Sequence, residues 1–175
     1  MNVEYLITLY KVTHSNDGDF EDGVVDPWKG ANAEVSITDK EVYEGDYSLF
    51  VSNRTATGPG ALQLIHGWEP GATYKLSGVV KYVDGPSERG FGLTLFGEGY
   101  TDVYEEWNPK FATTPTEVNA IKGEWNKLEA EFTLPEGATV DKLCIIFETT
   151  WVPEADPEND LMDFYLDNVS IVKID

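Results

Sequence analysis

Glu129 and Glu131 stand two residues apart in the run Lys127-Leu128-Glu129-Ala130-Glu131-Phe132-Thr133-Leu134. Residues two apart on a strand share a face, so both carboxyls point the same way. Paired carboxylates can cleave a glycosidic bond, one as acid and the other as base or nucleophile. Strand-borne hydrolytic sites add a third acid at the same period, Glu-x-Asp-x-Glu, but Thr133 follows here. The pair therefore reads as the wet face of a strand. There is no Gly-x-Ser-x-Gly elbow, no His-Glu-x-x-His and no glycine-rich phosphate loop. His14 and His66 cannot make a metal site alone. Cys144, the single cysteine, lies in the apolar run Leu143-Cys144-Ile145-Ile146-Phe147 and reads as buried. A lone cysteine excludes an intramolecular disulfide.

Aromatic residues carry the stronger signal. The chain has 5 Trp, 9 Tyr and 8 Phe, more than a small core needs, so some rings are expected at the surface. Exposed rings suit flat, weakly polar ligands such as the C–H faces of sugars. Two long loops, 99–124 and 150–162, combine rings with acids: Tyr100, Tyr104 and Trp107 in one, Trp151 in the other. The formal net charge of −20 at pH 7 repels phosphate, so nucleic acid and anionic membranes are poor partners. A neutral polysaccharide meets no such repulsion, and clustered carboxylates can hold Ca²⁺.

The positioning elements are strands. Short runs of β-branched and aromatic residues, broken by Gly, Pro, Asp and Asn, predict strands at 3–12, 33–38, 47–53, 61–66, 73–83, 91–98, 126–134, 142–149 and 164–173. From Thr73 to Val83, the residues Tyr74, Leu76, Val80 and Tyr82 fall on one face, with Thr73, Lys75, Ser77 and Lys81 opposite and Val79 the exception. The run from Phe164 alternates less strictly and reads as covered on both faces. No segment sustains helical periodicity over three turns. The pattern predicts an all-β fold, a jelly-roll β-sandwich of two antiparallel sheets. Residues 17–175 form one domain in this reading, and 1–16 an added strand or linker. Residues 1–12 lack the basic start and cleavage site of a signal peptide. No run is long enough to span a membrane.

The stretch Tyr43-Glu44-Gly45-Asp46-Tyr47-Ser48-Leu49-Phe50-Val51-Ser52-Asn53-Arg54-Thr55-Ala56 resembles family 22 carbohydrate-binding modules, the xylanase-associated jelly rolls related to families 4 and 9. Gly18-Asp19-Phe20-Glu21, Trp28, Ala33-Glu34-Val35, Pro70-Gly71-Ala72, Trp125, Phe147-Glu148 and Phe164-Tyr165-Leu166-Asp167 extend the likeness over about residues 17–173. The resemblance implies a sugar cleft on the concave sheet and a structural calcium. Its cleft glutamate corresponds to Glu148. Its calcium ties the chain's start, the turn before the Ser-Leu strand and the last strand. Those places hold Asp19, Glu21, Glu44, Asp46 and Asp167. Glu21 and Asp167 would give side-chain oxygens, the others mainly carbonyls.

Two family features are missing. Gly58 replaces the stacking tryptophan, and Gly30, Ala31 and Asn32 stand where a cleft arginine is expected. Tyr100, Tyr104, Trp107 and Trp151 are the candidate substitutes, with Arg54 and Gln63 as polar contacts. The function expected is non-catalytic binding of a soluble plant polysaccharide, xylan or mixed-linkage β-glucan. The module would be a secreted monomer, with its signal peptide outside this sequence and a glycoside hydrolase in the same native polypeptide. The alternatives are a structural domain of the same fold that has lost its sugar, and a glycoside hydrolase.

Overall fold

A computed structural model describes residues 18–58, 60–97, 111–138 and 142–174. Among the described residues ten strands occur in chain order: β1 (Lys29–Gly30), β2 (Glu34–Thr38), β3 (Ser48–Ser52), β4 (Ala61–His66), β5 (Thr73–Lys81), β6 (Glu88–Gly97), β7 (Phe111–Ile121), β8 (Asn126–Thr133), β9 (Lys142–Thr149) and β10 (Phe164–Lys173). They form two five-stranded antiparallel sheets, ordered β1-β4-β9-β6-β7 and β2-β3-β10-β5-β8. This is the sandwich expected from the alternation. The predicted strand at 3–12 lies outside the described residues.

Side-chain period decides which residues meet between the sheets. Tyr74, Leu76, Val80 and Tyr82 are fully buried inward from β5 and its end, as their alternation predicts. Central strand β10, flanked by β3 and β5, is buried along Phe164, Tyr165, Leu166 and Asp167. From the facing sheet, β9 sends Leu143, Ile145 and Phe147 into the same core. The Phe147 ring sits over Gly78 so closely that a β-carbon there would lie 2.5 Å from Cζ. Glycine at this point lets the two sheets close on a full aromatic side chain.

One strand departs from expectation. β7 falls inside the segment read as the loop 99–124. It forms the sheet edge beside β6, with a bulge where Leu93 pairs Thr116 and Leu95 pairs Thr113. The extra residue opposite Thr94 accommodates Pro115, which has no amide to give the ladder.

Candidate functional site

Alternation on β9 divides its side chains between two environments. Leu143, Ile145 and Phe147 face the core; Cys144, Ile146 and Glu148 face outward. Outward of this sheet, Ala31, Leu62, Phe96, Cys144 and Ile146 form a second buried apolar cluster. Beyond it, toward Glu148, the face opens into a groove of about 190 Å³ lined by Gly58, Gly92, Thr114, Glu117, Glu148 and Trp151 among others.

Glu148 is the groove's polar centre. It pairs across the ladder with Gly92, which has no side chain to cover it. Thr94 donates its hydroxyl to Glu148 Oε1 at 2.5 Å, and the Thr114 and Thr94 hydroxyls are 2.8 Å apart. With the Thr94 proton committed to the carboxylate, Thr114 is left to donate to Thr94. The β7 bulge shifts the strand's parity after Pro115, so Glu117 joins Thr114 on this face. Burial pushes the Glu148 carboxyl up to about 7; Glu117 adds to the rise, while Thr94 and Arg54 oppose it. A carboxyl so held, beside open space, can exchange hydrogen bonds with ligand hydroxyls.

Trp151 stands at the rim, 66% exposed, the most exposed of the large apolar side chains described. Its neighbours in the chain are fixed. Gly58 N–H donates to Thr149 O at 3.1 Å, and Thr150 N–H to Gly90 O at 2.9 Å. The Thr57 hydroxyl accepts from Val152 N–H at 3.0 Å and donates to Val152 O at 3.1 Å.

Two expected sugar contacts are corrected. Gln63 is 1% exposed and shares the inward parity of β4 with Ala61 and Ile65, so it faces away from the groove. Arg54 is buried at the end of the sandwich. Its guanidinium donates to Thr149 Oγ1 at 2.5 Å, Met162 O at 3.0 Å and Asp160 O at 3.3 Å, and lies 5.5 Å from the Phe164 ring centre. Desolvation lowers its pKa to about 10, so it stays charged at neutral pH. Arg89 reinforces the clamp, donating to Thr150 O at 2.7 Å and pairing with Asp160 at 3.4 Å. Arg54 thus secures the loop that carries Trp151. Tyr100, Tyr104 and Trp107 lie outside the described residues. The sequence reading missed Thr94, Thr114, Glu117 and Gly92. A threonine between Leu93 and Leu95 was the available signal for the first.

The candidate cation ligands gather elsewhere, beside the turn before β3. Asp19, Glu21, Glu44, Gly45, Asp167 and Asn168 line one hollow. Glu21 accepts from the amides of Asp46 and Tyr47, and Asp167 from those of Tyr43, Glu44 and Asn168. Asp167 is 1% exposed, and its pKa is raised, chiefly by burial and further by the charge of Glu21. Among the described residues, no three His, Cys, Asp or Glu side chains converge closely enough to hold a metal by themselves. Asp46 enters through its amide and does not line the hollow.

A family model described as "Carbohydrate binding domain" matches residues 14–157. Endo-1,4-beta-xylanase A of Thermotoga neapolitana is 32% identical over 158 residues, covering 87% of this chain and 13% of the enzyme. The chain therefore spans a small part of the curated relatives it matches. Among solved structures, the N-terminal CBM22-1-CBM22-2 tandem domain of Paenibacillus barcinonensis Xyn10C superposes with a TM-score of 0.82 at 24% identity, covering 97% of this chain and 51% of that one. A xylan-binding domain from CBM 22 superposes with a TM-score of 0.73 at 26% identity, covering 93% of this chain and 96% of that one.

Proposed function

Because the chain belongs to the family of carbohydrate-binding domains, we propose that it holds a neutral plant polysaccharide, xylan or mixed-linkage β-glucan, in the groove at Glu148. The observation that carries this reading is a half-buried carboxyl at the base of an open groove under an exposed indole. The carboxyl supplies directional hydrogen bonds and the ring a stacking surface, the two elements a pyranose needs. The module breaks no bond. It works outside the cell as a monomer, within a longer polypeptide that also carries a xylan-degrading enzyme, and raises that enzyme's concentration on its substrate. The naming of matched relatives as xylanases supports this setting.

Affinity electrophoresis against soluble xylan, mixed-linkage glucan and glucomannan tests the reading. Retardation by at least one polysaccharide is expected, lost in Glu148→Ala, with no reducing sugar released. Absence of retardation favours the alternative of a domain that has lost its ligand, for which Gly58 in place of the family's stacking tryptophan is the motive. Sugar release would instead point to Glu117 and Glu148 as a hydrolytic pair.

The acidic hollow is proposed to take a structural Ca²⁺. Its fit rests on oxygen donors alone and on two carboxylates, Glu21 and Asp167, whose mutual repulsion a cation would relieve. Because amides already occupy part of each carboxylate, backbone carbonyls of Asp19, Glu44 or Asp46 and water would complete the shell. A bound ion would stabilise the fold by about 2.7 kcal/mol at a hundredfold excess over Kd. Thermal unfolding after chelation is expected to begin at lower temperature and to recover on adding calcium. Identical melting curves with and without the ion would rule the site out.

A further inference from the structure

We propose that Trp151 is the stacking platform of the groove and that Thr57 is the residue that positions it. The inference rests on the reading of the groove as a saccharide site and goes on to say which ring does the work. Trp151 lines the groove and is the most exposed of the large apolar side chains described, so its ring is free to stack on a ligand. Trp151 is left so while the chain around it is immobilised: the carbonyl of Thr149, the amide and carbonyl of Thr150 and both groups of Val152 are all hydrogen-bonded. Such fixing is what preorganises a binding surface.

Position 58 shows where the ligand goes. A β-carbon on Gly58 would lie 3.5 Å from Trp151 Cδ1 and 3.8 Å from Glu148 Oε2. A side chain there would grow into the space between indole and carboxyl. Gly58 also has φ of +86°, which side-chain-bearing residues rarely adopt. The missing side chain therefore leaves a gap open to a sugar ring stacked on Trp151 and bonded to Glu148. The paired bonds of Thr57 are the device that aims the ring. Thr57 grips both backbone groups of Val152, the residue next to the platform.

The test compares the unaltered protein with Trp151→Ala, Trp151→Phe, Thr57→Val, Thr57→Ser and Glu148→Ala. The readouts are retardation on soluble xylan and mixed-linkage glucan, and ligand-induced change in tryptophan emission. Trp151→Ala is expected to weaken association by about tenfold or more and to abolish the emission change, while Trp151→Phe keeps most binding. Thr57→Val is expected to weaken binding and Thr57→Ser to restore it. If Trp151→Ala binds normally while Glu148→Ala does not, the platform is wrong and the groove stands. If Thr57→Val matches the unaltered protein, the positioning role falls. If the unaltered protein binds neither polysaccharide, both readings fall together.

Discussion

Glu148→Gln is expected to make the folded domain more stable at about pH 8, by about 3 kcal/mol, while weakening its hold on polysaccharide. The cause is the carboxyl's pKa of about 7 in the folded state, against an ordinary 4.5, raised mainly by burial. Below the ordinary value both states carry the proton, and Glu148 costs nothing through ionisation. Between 4.5 and about 7 the folded state keeps the proton that the unfolded chain releases. Stability then falls as pH rises. Above the folded value the full penalty is in place. Glutamine has no charge to desolvate, so the gap between variant and parent should widen across that window and then stay level. Urea unfolding of both proteins from acid to mildly alkaline pH measures it. A gap independent of pH would show that Glu148 ionises normally. A destabilising carboxyl kept at the base of a groove fits a residue retained for binding.

Arg54→Ala is expected to cost about 3–5 kcal/mol of folding stability, with a visible drop in the urea midpoint. Removing the guanidinium strips the Met162 and Asp160 carbonyls and the Thr149 hydroxyl of a donor. It also removes positive charge facing Asp163, Glu148 and Asp160. Relief of repulsion from Arg89 offsets only part of this, since desolvated donors and acceptors without partners dominate. Arg54→Lys should recover a minority of the loss, because an ammonium cannot span several acceptors as a planar fork does. An alanine variant as stable as the parent would mean that the loop at 150–163 is held by Arg89 and Thr57 alone.

Much of this architecture could be read from residue order. The alternation along Thr73–Lys81 and Asn126–Thr133 assigned both strands and their wet faces, and the less regular run from Phe164 marked a central strand. β7 escaped because Pro115 argues against a strand and the bulge breaks the alternation after it. Gln63 misled for a related reason. A glutamine between leucines looks like the polar face of a half-wet strand, yet here the outward face is the apolar one, and Leu62 and Leu64 occupy it. Glu148 was legible through family likeness. The joining of Gly58, Thr57 and Trp151 was not, since loops distant in the chain meet only once the sheets have set their ends.

The irregular edge strand has one more effect. A straight, exposed edge offers a row of amides and carbonyls to any similar edge that comes near. Proteins gathered along one polymer chain reach high local crowding, and such edges would then zip together. Pro115 withholds an amide, and the kink beside it throws the neighbouring groups out of line. This edge is thereby a poor template for a strand from outside the domain.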